Sequence, residues 1–242
     1  MQYPKYFKSG QKILMRALAA PAGHFEALTV FYIDHGQGFL ELGIPYRAKA
    51  GEEYPFAPDM PFELLSDRLG LGLRITCTFK EYCDDGRSIR VAITSDLQIF
   101  QRRYHRRLDT NVGLRYTRGQ GTLRTFREQW QKNLTILQQG GDPAKIPAFP
   151  PCKVNISPGG IRFAINPPVE TADLCLLLIQ FERTELPVCA LAEVVWMGDQ
   201  EVEGRLTVGM QFINILESDR KNIEKLIEHR ARFQQVDEKP KS

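Results

Sequence analysis

Residues 101–107 read Gln-Arg-Arg-Tyr-His-Arg-Arg, and residues 155–160 read Asn-Ile-Ser-Pro-Gly-Gly. The first stretch packs four guanidiniums, Arg102, Arg103, Arg106 and Arg107, into six residues. A guanidinium fork matches phosphate oxygens in pairs, and it matches the O6/N7 edge of guanine equally well. Arg103 and Arg107 stand four apart. On an irregular loop that spacing lets two long side chains close on a ligand from different sides, whereas on a helix it would stack like charges on one face. In the second stretch Asn155 and Ser157 alternate, so on a strand they share a face and can meet polar atoms of a base. Pro158-Gly159 predicts the centre of a type II turn, with Pro fixing φ and Gly accepting positive φ. Gly160 then leaves room for a purine. Alone, the arginines suit a solvated basic linker or a nucleic-acid tail, and the turn suits a plain hairpin. Taken together, they supply the groups that a site for a guanine-containing dianion needs.

The charge distribution agrees. Residues 102–127 hold eight arginines against one acid, Asp109, a local charge of +7 in a chain whose net charge is +3, so the remainder is −4 by subtraction. Such concentration indicates a local anion site rather than a general polyanion binder. The 43% hydrophobic and 25% charged content is that of a globular protein, and 242 residues allow one large or two small domains. Five cysteines without a CxxC pair indicate neither a disulfide framework nor a zinc site, and they read as reduced thiols of a cytoplasmic protein. Histidines 24, 35, 105 and 229 are scattered, so no metal is expected. No apolar run reaches the ~18 residues of a membrane span. The stretch around Ala19-Ala20-Pro21 is faintly signal-like, but Arg16 interrupts its apolar part, and a buried first strand is the better reading.

From about 10 to 98 the pattern is β. Leu14, Leu18, the run 27–33 and the alternating 39–44 are strand-like, and Asp84-Asp85-Gly86 between two β-branched runs predicts a hairpin. Residues 108–116 read as a strand. Leu123, Phe126, Trp130, Leu134 and Leu137 recur every three or four residues and predict an amphipathic helix over about 122–139, packed on a barrel rather than lining a cofactor. Strands are expected at 152–156, 161–166, 173–182, 187–197 and 205–213. In the last, Leu206, Val208, Met210 and Phe212 alternate. A final helix from Ser218 carries Ile223, Leu226, Ile227 and Phe233, and residues 237–242 read as a flexible tail. No GxSxG, HExxH or P-loop pattern is present, and Glu193, Asp199, Glu201 and Glu203 do not form a convincing catalytic set, so no enzyme is expected.

Arg103 through Arg107 fits RxxxR, Asn155 through Gly160 fits [D/N]xSxxG, and Val208-Gly209-Met210-Gln211-Phe212 follows as a closing strand. In these three segments the chain resembles the PilZ domain family, receptors for the bacterial second messenger cyclic di-GMP. The spacer between the two motifs is longer than in a minimal PilZ domain and accommodates the extra helix. More loosely, residues 1–98 resemble the split-barrel N-terminal domain of flagellar-brake (YcgR-like) proteins.

The resemblance implies a mostly β protein of two β-barrel domains: an N-terminal split barrel over 1–98 and a C-terminal PilZ barrel over 99–236, with an inserted helix and a C-terminal helix. It implies a ligand site for cyclic di-GMP at Arg102, Arg103, Arg107, Asn155, Ser157, Gly159 and Gly160, with no further cofactor. Arg102, just before RxxxR, would influence whether one or two intercalated ligand molecules bind. The implied function is a cyclic di-GMP receptor that changes its domain arrangement and regulates a protein partner, with flagellar motor control as the output associated with this architecture. The alternatives are an RNA or single-stranded DNA module using Tyr104, Tyr116, Phe126 and Trp130 with the basic segment, and a degenerate PilZ adaptor.

Overall fold

The computed structural model describes residues 6–46, 56–68, 71–101, 106–119, 121–140, 146–182, 185–202 and 204–237. Cα packing divides the chain into two compact units. One comprises residues 1–104 with 121–124, the other 105–120 with 125–242.

In the first unit β1 (Lys12–Ala17), β2 (His24–Gly36), β3 (Phe39–Gly43), β4 (Pro61–Arg68), β5 (Leu71–Cys83) and β6 (Ser88–Ile93) pair antiparallel in the order β1-β4-β5-β6-β3-β2. Pairing of β2 with β1 closes the ring into a six-stranded barrel. Period-2 alternation turns Ile13, Met15, Leu40, Leu42, Phe62, Leu64, Ile89 and Val91 inward, each almost completely buried. β7 (Gln98–Gln101) adds to the start of β5. The Asp84–Gly86 segment forms a 3-10 turn joining β5 to β6, where the sequence predicts a hairpin. Leu18, read as strand-like, lies past the end of β1 and is exposed, because β1 stops at Ala17.

The second unit is also a closed antiparallel ring. β8 (Leu108–Arg118), β9 (Pro151–Ser157), β10 (Gly160–Ile165), β11 (Leu174–Gln180), β12 (Val188–Val202) and β13 (Arg205–Leu216) run in the order β8-β9-β10-β13-β12-β11, and β11 returns to β8. Val154, Ile156, Ile161, Phe163, Ile165, Val208, Met210 and Phe212 fill the interior. The expected helix is α1 (Leu123–Gly140), inserted between β8 and β9. Its stripe of Leu123, Phe126, Trp130 and Leu134 is buried. The indole N–H of Trp130 donates to the Cys189 carbonyl at 3.0 Å, which fixes α1 to β12. α2 (Glu217–Asp237) buries Ile223 and Ile227, while Leu226 is half-buried. Among the described residues no helix is long and apolar enough to cross a membrane.

Candidate ligand site on the second barrel

The site is built by register. Leu108 is buried and pairs with Ile156, the first pair of the β8–β9 ladder. Arg107 immediately precedes β8 and Ser157 closes β9, so the end of the arginine segment and the hairpin meet at one end of this ladder. Arg106 and Arg107 are exposed. Arg102 and Arg103 lie outside the described residues.

With Val154 and Ile156 turned inward, Asn155 belongs to the outer face. It is in register with Asp109 on β8 and Arg162 on β10. The row continues through Gly209 on β13 to Trp196 on β12. Five strands at ~4.8 Å spacing make a row ~19 Å long. The Asn155 amide Nδ2 donates to Asp109 Oδ1 at 3.0 Å, while Asn155 Oδ1 is enclosed without a hydrogen-bond partner. At the far end Trp196 is 50% exposed. Its ring lies against the backbone at Gly209 and Gly198, where an added Cβ would stand 3.5 Å from indole carbons. A Cβ at either glycine would stand in ordinary van der Waals contact with the tryptophan side chain. An exposed indole laid flat on a sheet is a stacking surface for a base. Sequence reading missed Trp196, Arg162 and Asp109, because only the pairing register brings them into line with Asn155.

The hairpin departs from the expected turn in two respects. Positive φ is absent at Gly159, so the turn is not type II. Ser157 pairs directly with Gly160, and the Gly159 carbonyl accepts from Phe212 N–H at 3.0 Å, which ties the turn to β13 instead. Gly160 leaves no room for a purine on its Cβ side. A Cβ there would lie 2.2 Å from the Met210 carbonyl oxygen, so glycine is required by the approach of the β13 backbone. The open position is Gly159, where an added Cβ meets nothing within 4 Å. Ser157 is buried, and its hydroxyl donates to the Gly160 carbonyl at 3.4 Å. The guanidinium of Arg220, in the first turn of α2, donates to the Pro158 carbonyl at 3.2 Å and holds the hairpin from the other side.

Burial pushes the Cys77, Cys175 and Cys189 thiols up to about 12, so these three are inert apolar side chains rather than nucleophiles. Glu193, one of the carboxylates weighed for catalysis, is fully buried within β12. Among the described residues no group of three or more metal-ligating side chains converges.

Residues 101–229 match the PilZ domain family, a range that opens on the arginine segment and includes the hairpin, α1 and β13. The chain belongs to the PilZ domain family. The ligand of the family is cyclic di-GMP. No curated protein matches the chain in sequence. Among solved structures, the chain is similar to the Bacillus subtilis inhibitor of motility MotI/DgrA, at 13% identity and a TM-score of 0.38, over 97% of this chain and 100% of that one. It is similar to Escherichia coli YcgR in complex with c-di-GMP at 10% identity and a TM-score of 0.36, over 94% and 87%. It is also similar to the K. pneumonia MrkH–c-di-GMP complex at 13% identity and a TM-score of 0.33, over 95% and 90%.

Proposed function

We propose that the chain is a non-enzymatic cytoplasmic receptor for cyclic di-GMP. The ligand phosphates engage Arg102, Arg103 and Arg107, and a guanine lies over the hairpin at Asn155, Ser157 and Gly159, with Gly160 seating the hairpin against β13. Residues 1–98 act as a YcgR-like domain and 99–236 as the PilZ domain. Without ligand, the like charges of the arginine segment repel one another. A bound dianion neutralises that repulsion, ties the segment to the hairpin and selects one arrangement. The selected arrangement then acts on a protein effector, with flagellar motor function as the output.

The observation that carries this reading is the Leu108–Ile156 pair. It brings Arg107 and Ser157, members of segments nearly fifty residues apart in sequence, to one end of the same ladder. Titration calorimetry of the parent and of Arg107→Ala tests it. A charge-assisted hydrogen bond contributes ~1.5–3 kcal/mol, so loss of a bidentate contact lowers affinity ~10- to 100-fold or more. Equal affinity in parent and variant is inconsistent with the site.

A further inference from the structure

We propose that Asp109 is the carboxylate that reads guanine in this site, and that Asn155 is the residue that positions it. The inference rests on the reading that cyclic di-GMP binds at the hairpin, and it assigns the base-recognition chemistry there.

The family signature admits either Asp or Asn at the first position of its second motif, and this chain has Asn155. An amide cannot offer two acceptors to a base as a carboxylate can. In this barrel the amide is also already committed. Its Nδ2 donates to Asp109 Oδ1 at 3.0 Å, across the β8–β9 pair that sets the two residues opposite each other. Rotating the amide by half a turn would set its carbonyl oxygen against the carboxylate, so the Asp109 charge fixes its orientation. Asn155 Oδ1 is thereby turned away and enclosed, unable to meet a ligand on the outer face without rearrangement.

Asp109 is the opposite case. It is exposed on that face, and one of its oxygens is held by the amide while the other has no partner among the described residues. It is the only acid between residues 102 and 127, with eight arginines around it in sequence. A negative charge placed there must earn its position against a dianionic ligand. The edge of guanine supplies the reason: N1–H and the 2-amino group are two parallel donors that match the two oxygens of a carboxylate, as the two N–H groups of a guanidinium do. Adenine offers an acceptor at N1 instead, which a carboxylate rejects. The carboxylate that faces the base thus stands on β8, with the Asn155 amide on β9 as its support.

The test compares cyclic di-GMP with its cyclic di-inosine analogue, which lacks only the 2-amino groups, on the parent, Asp109→Asn and Asn155→Ala. Asp109 is exposed, so the first variant keeps the fold, which circular dichroism checks. The parent should prefer cyclic di-GMP by ~10-fold or more, the loss of one charge-assisted hydrogen bond. In Asp109→Asn that preference should collapse toward unity, because cyclic di-GMP loses charge assistance at both N1–H and the 2-amino group whereas the inosine analogue loses it at N1–H alone and is weakened less. Asn155→Ala leaves the carboxylate but frees it, so the preference should fall part of the way. A merely structural role for either residue would weaken both ligands alike. Preference retained in Asp109→Asn, or both ligands weakened equally, overturns the assignment while leaving the receptor reading intact. A parent that binds neither dinucleotide overturns both.

Discussion

Gly159 and Gly160 are neighbours in one hairpin, yet the structure gives them separable roles. At Gly160 the missing Cβ would stand 2.2 Å from the Met210 carbonyl oxygen and 3.2 Å from Gln211 Cα, both backbone atoms of β13. A side chain can swing aside, but a paired strand cannot. Gly160 is itself the first residue of the β10–β13 ladder, in register with Gln211. Gly160→Ala must therefore push two strands of a closed ring apart by ~1 Å, and overpacking of this kind costs ~1–3 kcal/mol, here at the upper end. For a unit of this size ~3 kcal/mol lowers the unfolding midpoint by roughly 10 °C. At Gly159 an added Cβ meets nothing within 4 Å, and φ is not in the left-handed region. Gly159→Ala should leave stability equal or raise it by ~0.4–1 kcal/mol through the unfolded chain. Its methyl group would project into the space the ligand needs, so it should weaken cyclic di-GMP binding. Thermal unfolding and ligand titration of both variants give the comparison. The reasoning is refuted if Gly160→Ala unfolds with the parent, or if Gly159→Ala destabilises the fold while binding normally.

Trp130 is buried and Trp196 half-exposed, and the chain has no other tryptophan, so cyclic di-GMP should quench emission from Trp196 alone. Quenching that survives Trp196→Phe would place the ligand elsewhere. On the proposed site Arg102 would supply a third cation for a ligand dimer carrying four charges, so calorimetric stoichiometry should approach two in the parent and shift toward one in Arg102→Leu. A saturated ratio of one in the parent contradicts that. Burial pushes the Asp219 carboxyl up to about 6, so the folded state holds its proton more tightly than the unfolded chain. Stability is lost as pH rises from about 4 through about 6. Asp219→Asn should therefore stabilise the protein at pH 7.5 and much less at pH 4.5, measured by urea unfolding, and an equal effect at both pH values would contradict the burial argument. Small-angle scattering should change on saturation with cyclic di-GMP, whereas an unchanged profile would leave the ligand without an effect on domain arrangement.

Much of this was legible in the sequence because it is local. The alternation of Val208, Met210 and Phe212 announces a strand with one buried face, and the spacing of Phe126, Trp130 and Leu134 announces α1. The two ligand motifs are short and contiguous. What escaped depends on partners far along the chain. β4 is short in apolar residues beyond Phe62, Leu64 and Leu65, and its Glu63 is buried, which no local pattern anticipates. In the barrel that carboxylate is bridged by Arg16 at 3.0 Å and Arg74 at 2.9 Å, from the strands on either side. The role of Gly160 follows from β13, some fifty residues on, and the turn type followed the tie to Phe212 rather than the Pro-Gly preference. Asp109 and Trp196 come into line with Asn155 only through register across successive strands, which no local pattern contains.

The central claim is that cyclic di-GMP binds on the outer face of the second barrel, between the arginine segment and the Asn155–Gly160 hairpin. Mapping amide chemical-shift changes during a cyclic di-GMP titration tests it most directly. The account predicts saturable shifts concentrated at residues 106–109 and 155–160 and at the Trp196 indole, with strands β3 and β6 of the first barrel unaffected. Shifts that avoid the hairpin, or no saturable shifts at all, would contradict it.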